Sequence, residues 1–316
     1  MATRDEARLL AKVALLYYES KLNQNEIAER IGISQSKVSR LLRQAVDHDI
    51  VRISVRVPAG VHTDLEEAIE SKFGVVEAVV VDTTATDDSQ LHRDLGLAAA
   101  FHLETTIRPG DVVGISSWSD ALRATVSSLR PLPTGDRIRV VQILGGVGDP
   151  TAEIHATELT RRLAEMLRGE PNLLPVPGVV GSAAARRVLE KDAHVQRVLQ
   201  LFASVNVALV GIGALEPSPM LARSGNVFSE EELGIVRAAG GVGDICLRFF
   251  DKAGKPVTTA LDERVIGMTL AAIKRVPRSI AVAGGRRKLD AITSALNGSL
   301  VSHIVTDVTT ARALVS

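Results

Sequence analysis

Residues 22–44 read LNQNEIAERIGISQSKVSRLLRQ, and their spacing predicts two short helices joined by a glycine turn. Asn23 can cap the first helix, with Glu26 three residues on completing a capping box. Ile27, Ala28 and Ile31 fall on one face at helical spacing. Gly32 suits the left-handed residue that ends a helix. Ser34 can cap the second helix, whose Val38, Leu41 and Leu42 face inward. Gln35, Ser36, Lys37, Ser39, Arg40 and Arg43 are left facing out. Amides, hydroxyls and cations without an intervening acid can hydrogen-bond base edges and neutralise phosphates. A helix–turn–helix that reads double-stranded DNA is therefore expected, with residues 34–45 entering the major groove. The competing reading is an ordinary amphipathic hairpin with a solvated polar face.

Working outward, residues 5–19 predict a supporting helix with Ala7, Leu10, Ala11, Ala14, Leu15 and Tyr18 as its inner stripe. Residues 50–57 (IVRISVRV) alternate like a strand, and Pro58-Ala-Gly60 breaks the pattern. Two domains are expected, 1–57 and 58–316. The first holds ten Lys/Arg against seven Asp/Glu, the second 27 against 30. The chain's neutral total thus conceals a basic head.

From residue 58 onward strands alternate with helices. Strands are expected at 76–82, 111–116, 138–144, 205–211, 278–283 and 301–305. Helices are expected at 87–107, 118–129, 152–168, 183–203, 262–275 and 286–297. That alternation predicts an α/β domain with a mainly parallel, Rossmann-like sheet covered on both faces. Ligands of such sheets bind in loops at the carboxyl ends of strands. Four loops attract attention. Ser116-Ser-Trp-Ser119 brings three hydroxyls to a helix start, where they can meet an anion or simply cap the helix. Gly145-Gly-Val-Gly148 can let backbone approach a phosphate. Gly240-Gly-Val-Gly-Asp244 offers a carboxylate for sugar hydroxyls or for a turn. Gly284-Gly-Arg-Arg-Lys288 combines two glycines with three cations, either for a phosphate or for solvent.

The single cysteine, Cys246, excludes an intrachain disulfide framework and a cysteine metal site, and a buried inert thiol is expected. His102, His194 and His303 read as structural, and His155 as either a ligand contact or a surface residue. Arg4, Asp5 and Glu6 precede any apolar run, and the uncharged run 198–215 is broken by polar residues and glycines. A cytoplasmic protein without membrane contact is expected. No Gly-x-Ser-x-Gly, His-Glu-x-x-His or P-loop motif occurs, so neither catalysis nor a cofactor or metal is expected.

The N-terminal motif, followed by VVGISSWSDAL, VVQILGGVG, LPVPGVVGS, ALVGIGAL, GGVGDICLRFFDKAGKPV and AVAGGRRKLDAITSALNGSLVSHIVTDVTTARAL, resembles the SorC/DeoR-type sugar-binding transcriptional regulators over nearly the whole length. The resemblance implies an effector domain similar to sugar-phosphate isomerase and glucosamine-phosphate deaminase folds, serving as a sensor rather than an enzyme. It also implies a phosphorylated sugar or close metabolite as effector, and a homotetramer built as a dimer of dimers. Its ligand positions fall on Ser116, Ser117, Ser119, Gly145, Gly146, Asp244 and Lys288, with Arg223 a further candidate. Many members carry Gly-Trp-Gly-x-Thr at the first loop, and some a basic residue where Leu144 stands here. The alternative is a sugar-phosphate isomerase or deaminase with a DNA-binding head, for which Asp244 is the candidate general base. A purely structural interaction module is a third reading.

Overall fold

The computed structural model describes residues 4–52, 58–83, 87–132, 137–148, 150–217, 221–222 and 224–316. They form two compact units, Met1–Pro58 and Ala59–Ser316. Most of the expected strand at 50–57 and the candidate Arg223 lie outside the described residues, as does the side chain of His155.

The first unit is helical: α1 (Arg4–Ala14) running into a π-helical turn (Leu15–Glu19), α2 (Gln24–Ile31) and α3 (Gln35–Asp47). The Asn23 carboxamide oxygen accepts from the Asn25 and Glu26 amides, and Glu26 accepts from the Asn23 amide at 2.7 Å. Gly32 closes α2 at φ +74°. The inner stripe of α1 differs from expectation. Leu10, Val13, Ala14 and Leu16 are buried, while Leu15 is 51% exposed. Residues 13–18 are all apolar, so periodicity could not say which side faces in. Packing against α3 selects the Leu10–Val13–Leu16 line.

The second unit begins with α4 (Thr63–Phe73), β1 (Glu77–Val81), α5 (Asp88–Thr106), β2 (Val112–Ile115), α6 (Asp120–Ser128), β3 (Arg139–Gln142) and α7 (Pro150–Met166). It continues through β4 (Glu170–Asn172), α8 (Ala183–Leu189), α9 (Ala193–Leu201), β5 (Val207–Val210), β6 (Gly213–Ala214) and α10 (Glu230–Ala238). It closes with β7 (Gly241–Ile245), β8 (Arg248–Asp251), α11 (Leu270–Arg275), β9 (Arg278–Val282), α12 (Leu289–Asn297), β10 (His303–Asp307) and α13 (Val308–Val315). Seven strands pair in the order β1-β10-β9-β5-β2-β3-β4, every pair parallel. Alternate residues feed two cores: Val113, Val140 and Leu209 join α5, α6 and α7, while Val112, Val141 and Ala208 join the opposite layer. A parallel sheet buried on both faces is what its near-continuous apolar strands require.

The sheet extends from β2 in both directions, with β3 on one side and β5 on the other. Such a reversal opens a crevice at the strands' carboxyl ends. The expected helix at 183–203 is interrupted, because Asp192 caps α9 through the His194 amide. The expected helix at 262–275 is a 3-10 turn (Ala260–Arg264) followed by α11. Between them Ile266 donates to Gly178 O at 2.9 Å, which takes the backbone bond a continuous helix would need. Gly240–Asp244, expected as a loop, is largely strand β7 in a small antiparallel sheet β6-β7-β8. Its glycines serve packing: a Cβ on Gly241 would meet Val236 at 2.4 Å, and one on Gly243 would meet Ala291 at 2.6 Å. His102 and His303 are buried, whereas His194, expected in apolar surroundings, is exposed at the start of α9.

Candidate functional site

A cavity of about 540 Å³ lies at the carboxyl ends of the central strands. Ser116, Trp118, Ser119 and Asp120 line it where β2 passes into α6, and Gly211–Ala214 line it after β5. Arg287 and Lys288 enter after β9, Asp88 and His92 from α5, and Asp244, Cys246 and Leu247 from β7 and its turn. Ser119 caps α6, so the positive end of that helix opens on the cavity.

Its cations are unequally committed. Arg123 pairs with Asp120 at 3.1 Å, and Arg287 with Asp88 at 3.6 Å. Lys288 has no ion-pair partner among the described residues, and the carboxylate that acts on it most strongly is Asp244. Burial lowers the Lys288 pKa, opposed by that carboxylate. Burial also lowers His92, reinforced by Lys288. Asp244 is pushed up to about 6 by burial, against the pull of the Leu247 amide at 2.9 Å and the charge of Lys288. The thiol of Cys246, hydrogen-bonded with Ser116, is pushed up to about 12 by burial. It stays protonated at neutral pH, as expected, but it lines the cavity rather than the core alone.

The wall carrying these groups is strained. Ile245 pairs with Arg248, leaving Cys246 and Leu247 as a two-residue hairpin turn with φ +54° and +59°. Such turns normally take glycine or asparagine, and non-glycine residues held this way cluster at ligand sites. Asp244 holds the turn through the Leu247 amide, and its other oxygen lies over Gly213, where a Cβ would stand 2.1 Å from it.

Asp244 also gives the protein a pH signature. Its folded pKa exceeds the ordinary 3.8, so the native state favours the protonated form. The stability it contributes is present below pH 3.8 and is lost as pH rises through about 6. An Asp244→Asn variant keeps an acceptor for Leu247 and is expected to melt higher than the parent at pH 7.5. It should also show a flatter melting profile across that window. An unchanged profile would mean that Asp244 is not held in a charge-averse setting.

Of the candidate ligand residues, Ser116, Ser119, Asp244 and Lys288 share this cavity. Others lie elsewhere. The Ser117 hydroxyl donates to Leu144 O at 2.8 Å and accepts from Gln142, stitching β2 to the turn after β3. Gly145 and Gly146 are packing glycines: a Cβ would meet Pro177 O at 2.4 Å and Gln142 Nε2 at 2.3 Å. Gly284 abuts Asp307, with 2.4 Å left for a Cβ. The Gly285 amide, expected to be open to an anion, donates to Asp307 at 2.8 Å and Thr310 at 2.9 Å. The strand-end loops include Arg287, whereas the sequence reading missed Asp88, His92 and Arg123, which no strand-end rule singles out.

In the helical unit, Gln35, Ser36, Lys37, Arg40 and Arg43 are exposed on α3, and Ser39 is half-buried. Ser34 caps α3 through the Lys37 amide. Gln35 donates to Gln24 at 2.6 Å, tying the start of α3 to that of α2. The first turn of α3 carries no acid, so its positive end and its cations present one sign of charge.

Comparison with known proteins accords with both units. Residues 58–316 match the family model "Putative sugar-binding domain", and residues 11–48 match sigma-70 region 4. The deoxyribonucleoside regulator of Bacillus subtilis is 35% identical over 313 residues, covering 99% of each chain. The sorbitol operon regulator of Klebsiella pneumoniae is 31% identical, again over 99% of each. The crystal structure of that full-length regulator superimposes with a TM-score of 0.75 at 30% identity, covering 99% of this chain and 100% of the other. A sugar-binding domain of a DeoR regulator from Pseudomonas syringae pv. tomato, 37% identical, covers 81% of this chain with a TM-score of 0.64. With a DNA-reading helical unit followed by a sugar-binding α/β unit, the chain belongs to the SorC/DeoR-type family of sugar-binding transcriptional regulators.

Proposed function

We propose that the cavity takes a sugar phosphate or a related sugar or polyol, and that its occupancy controls operator binding by α3. The observation that carries this reading is the uncommitted Lys288 ammonium facing Asp244 in a cavity rimmed by hydroxyls. The ammonium suits one phosphate or another electron-rich group, and Asp244 and Ser116 suit hydroxyls. The named functions of the relatives, a deoxyribonucleoside and a sorbitol operon regulator, point to the same ligand chemistry. A thermal-shift screen of free and phosphorylated sugars and polyols tests it. A ligand at a hundred times its Kd raises stability by about 2.7 kcal/mol. A screen without a stabilising sugar would contradict the reading.

Lys288→Ala is expected to weaken that ligand by about 1–3 kcal/mol, the range for a charged hydrogen bond, while leaving ligand-free operator binding intact. Calorimetry checks the first half and fluorescence anisotropy the second. Wild-type ligand affinity in the folded variant would remove Lys288 from the site.

The cavity acts on this account as a sensor without turnover, so ribose 5-phosphate and glucosamine 6-phosphate should be recovered unchanged. Residues 1–57 read DNA, with Gln35, Ser36, Lys37, Ser39, Arg40 and Arg43 at the interface, and residues 58–316 bind effector and assemble the oligomer. One head offers few base contacts, which favours two-fold pairing; a tetramer of paired dimers is the proposed assembly. No described helix is long and apolar enough to cross a membrane, and the proposed location is the cytoplasm.

A further inference from the structure

A second concavity, of about 870 Å³, lies at the opposite end of the sheet, where β3 and β4 begin. Arg137, Arg139 and Arg168 line it beside Gly110 and Gly169, with Glu170 the one acid in its lining among the described residues. Arg137 is exposed and Arg139 half-buried. Glu170 stands opposite Arg139 in the strand register. Even so, among the described residues neither Arg137 nor Arg139 has an ion pair or a side-chain hydrogen bond.

Two features separate this groove from an ordinary solvated face. First, the unit around it is acidic overall, with 27 Lys/Arg against 30 Asp/Glu after residue 57, so a three-arginine groove runs against its surroundings. Second, Arg137 and Arg168 hold left-handed backbones at φ +73° and +50°. That conformation disfavours any side chain with a Cβ, and glycine would relieve it at both positions. The backbone at Gly169 is packed too closely to adjust, since a Cβ there would meet Ile138 O at 2.7 Å.

We infer that this groove is a second anion site, distinct from the effector cavity, that takes a phosphate-bearing ligand on Arg137 and Arg139. Guanidinium groups present paired donors that match phosphate oxygens. Two such groups without partners among the described residues, on Arg137 and Arg139, suit a multiply charged anion. The inference does not depend on the effector reading. The phosphate can come from a free polyanion or from a nucleic-acid backbone, which share the oxyanion chemistry.

Pyrophosphate is the probe, titrated by calorimetry into the full-length protein carrying Lys288→Ala, so that the effector cavity does not compete. Saturable binding is expected. Adding Arg137→Gly and Arg139→Gln should weaken it by at least about 10–100-fold, since losing even one charged hydrogen bond costs that much. Arg137→Gly relieves the left-handed backbone, so the variant should melt no lower than its parent, and the melt confirms that it folds. A non-operator duplex, titrated into a Lys37→Ala, Arg40→Ala background, separates the sources. Loss of pyrophosphate alone marks a free-anion site, and loss of both ligands marks a backbone contact. Absent pyrophosphate binding at millimolar concentration, or binding unchanged in the folded Arg137→Gly, Arg139→Gln variant, overturns the inference.

Discussion

A protein carrying Lys37→Ala and Arg40→Ala is expected to lose operator binding almost entirely while melting like the parent. Both side chains are exposed on α3, and surface changes of this kind usually alter stability by less than about 0.5 kcal/mol. Their loss at the DNA should be far larger. A base-reading arginine is worth about 1–3 kcal/mol, and a phosphate contact weakens binding to all sequences and reduces the salt slope by about one. If Arg40 reads a base and Lys37 a phosphate, Arg40→Ala alone relaxes sequence preference and Lys37→Ala alone does not. Anisotropy on a selected operator at several salt concentrations separates them. Unchanged affinity in the folded double variant would mean that α3 does not dock in the groove.

The second large effect concerns the fold beneath the cavity. Asp111 is 5% exposed at the start of β2. It pairs with Arg278 of β9, accepts from Asn206 at 3.0 Å and accepts from the Arg108 amide at 2.8 Å. Arg278 in turn donates to Thr106 O at 2.6 Å. One carboxylate therefore joins β2, β5 and β9 below their cavity ends. Asp111→Ala leaves a largely buried guanidinium without its partner, a loss expected to cost about 3–5 kcal/mol. Urea unfolding at one fixed protein concentration reads it as a lower midpoint. A midpoint within experimental error of the parent would mean that Arg278 finds another partner without strain.

The helical head was legible because its signals are local. Asn23 with Glu26, Gly32 and Ser34 each act within a few residues, and each does in the structure what its chemistry requires. The six main strands were legible as apolar runs, since a strand buried on both faces must be apolar throughout. Edge strand β4, whose sequence is Glu-Pro-Asn, has no such pattern, because only its pairing with β3 makes it a strand. Glycine was the chief source of misreading. A glycine that frees an amide for a ligand and one that lets two backbones touch look alike in sequence. Gly145, Gly146 and Gly284 belong to the second kind. The strand-end rule reached Ser116, Asp244 and Lys288. It could not reach His92 or Arg123, which come from the polar sides of helices, where sequence does not say which residues overhang a cavity.

We expect coupling between occupancy of the cavity and the DNA-reading helix. Its direct test is operator affinity of the full-length protein with and without the sugar or sugar phosphate that stabilises it most. Lys288→Ala is measured beside it at the same ligand concentration. Coupling between two sites typically amounts to about 5–150-fold in affinity. A shift of that size, in either direction, is expected in the parent and should be largely lost in Lys288→Ala. A ligand that saturates the cavity yet leaves operator affinity unchanged would contradict it.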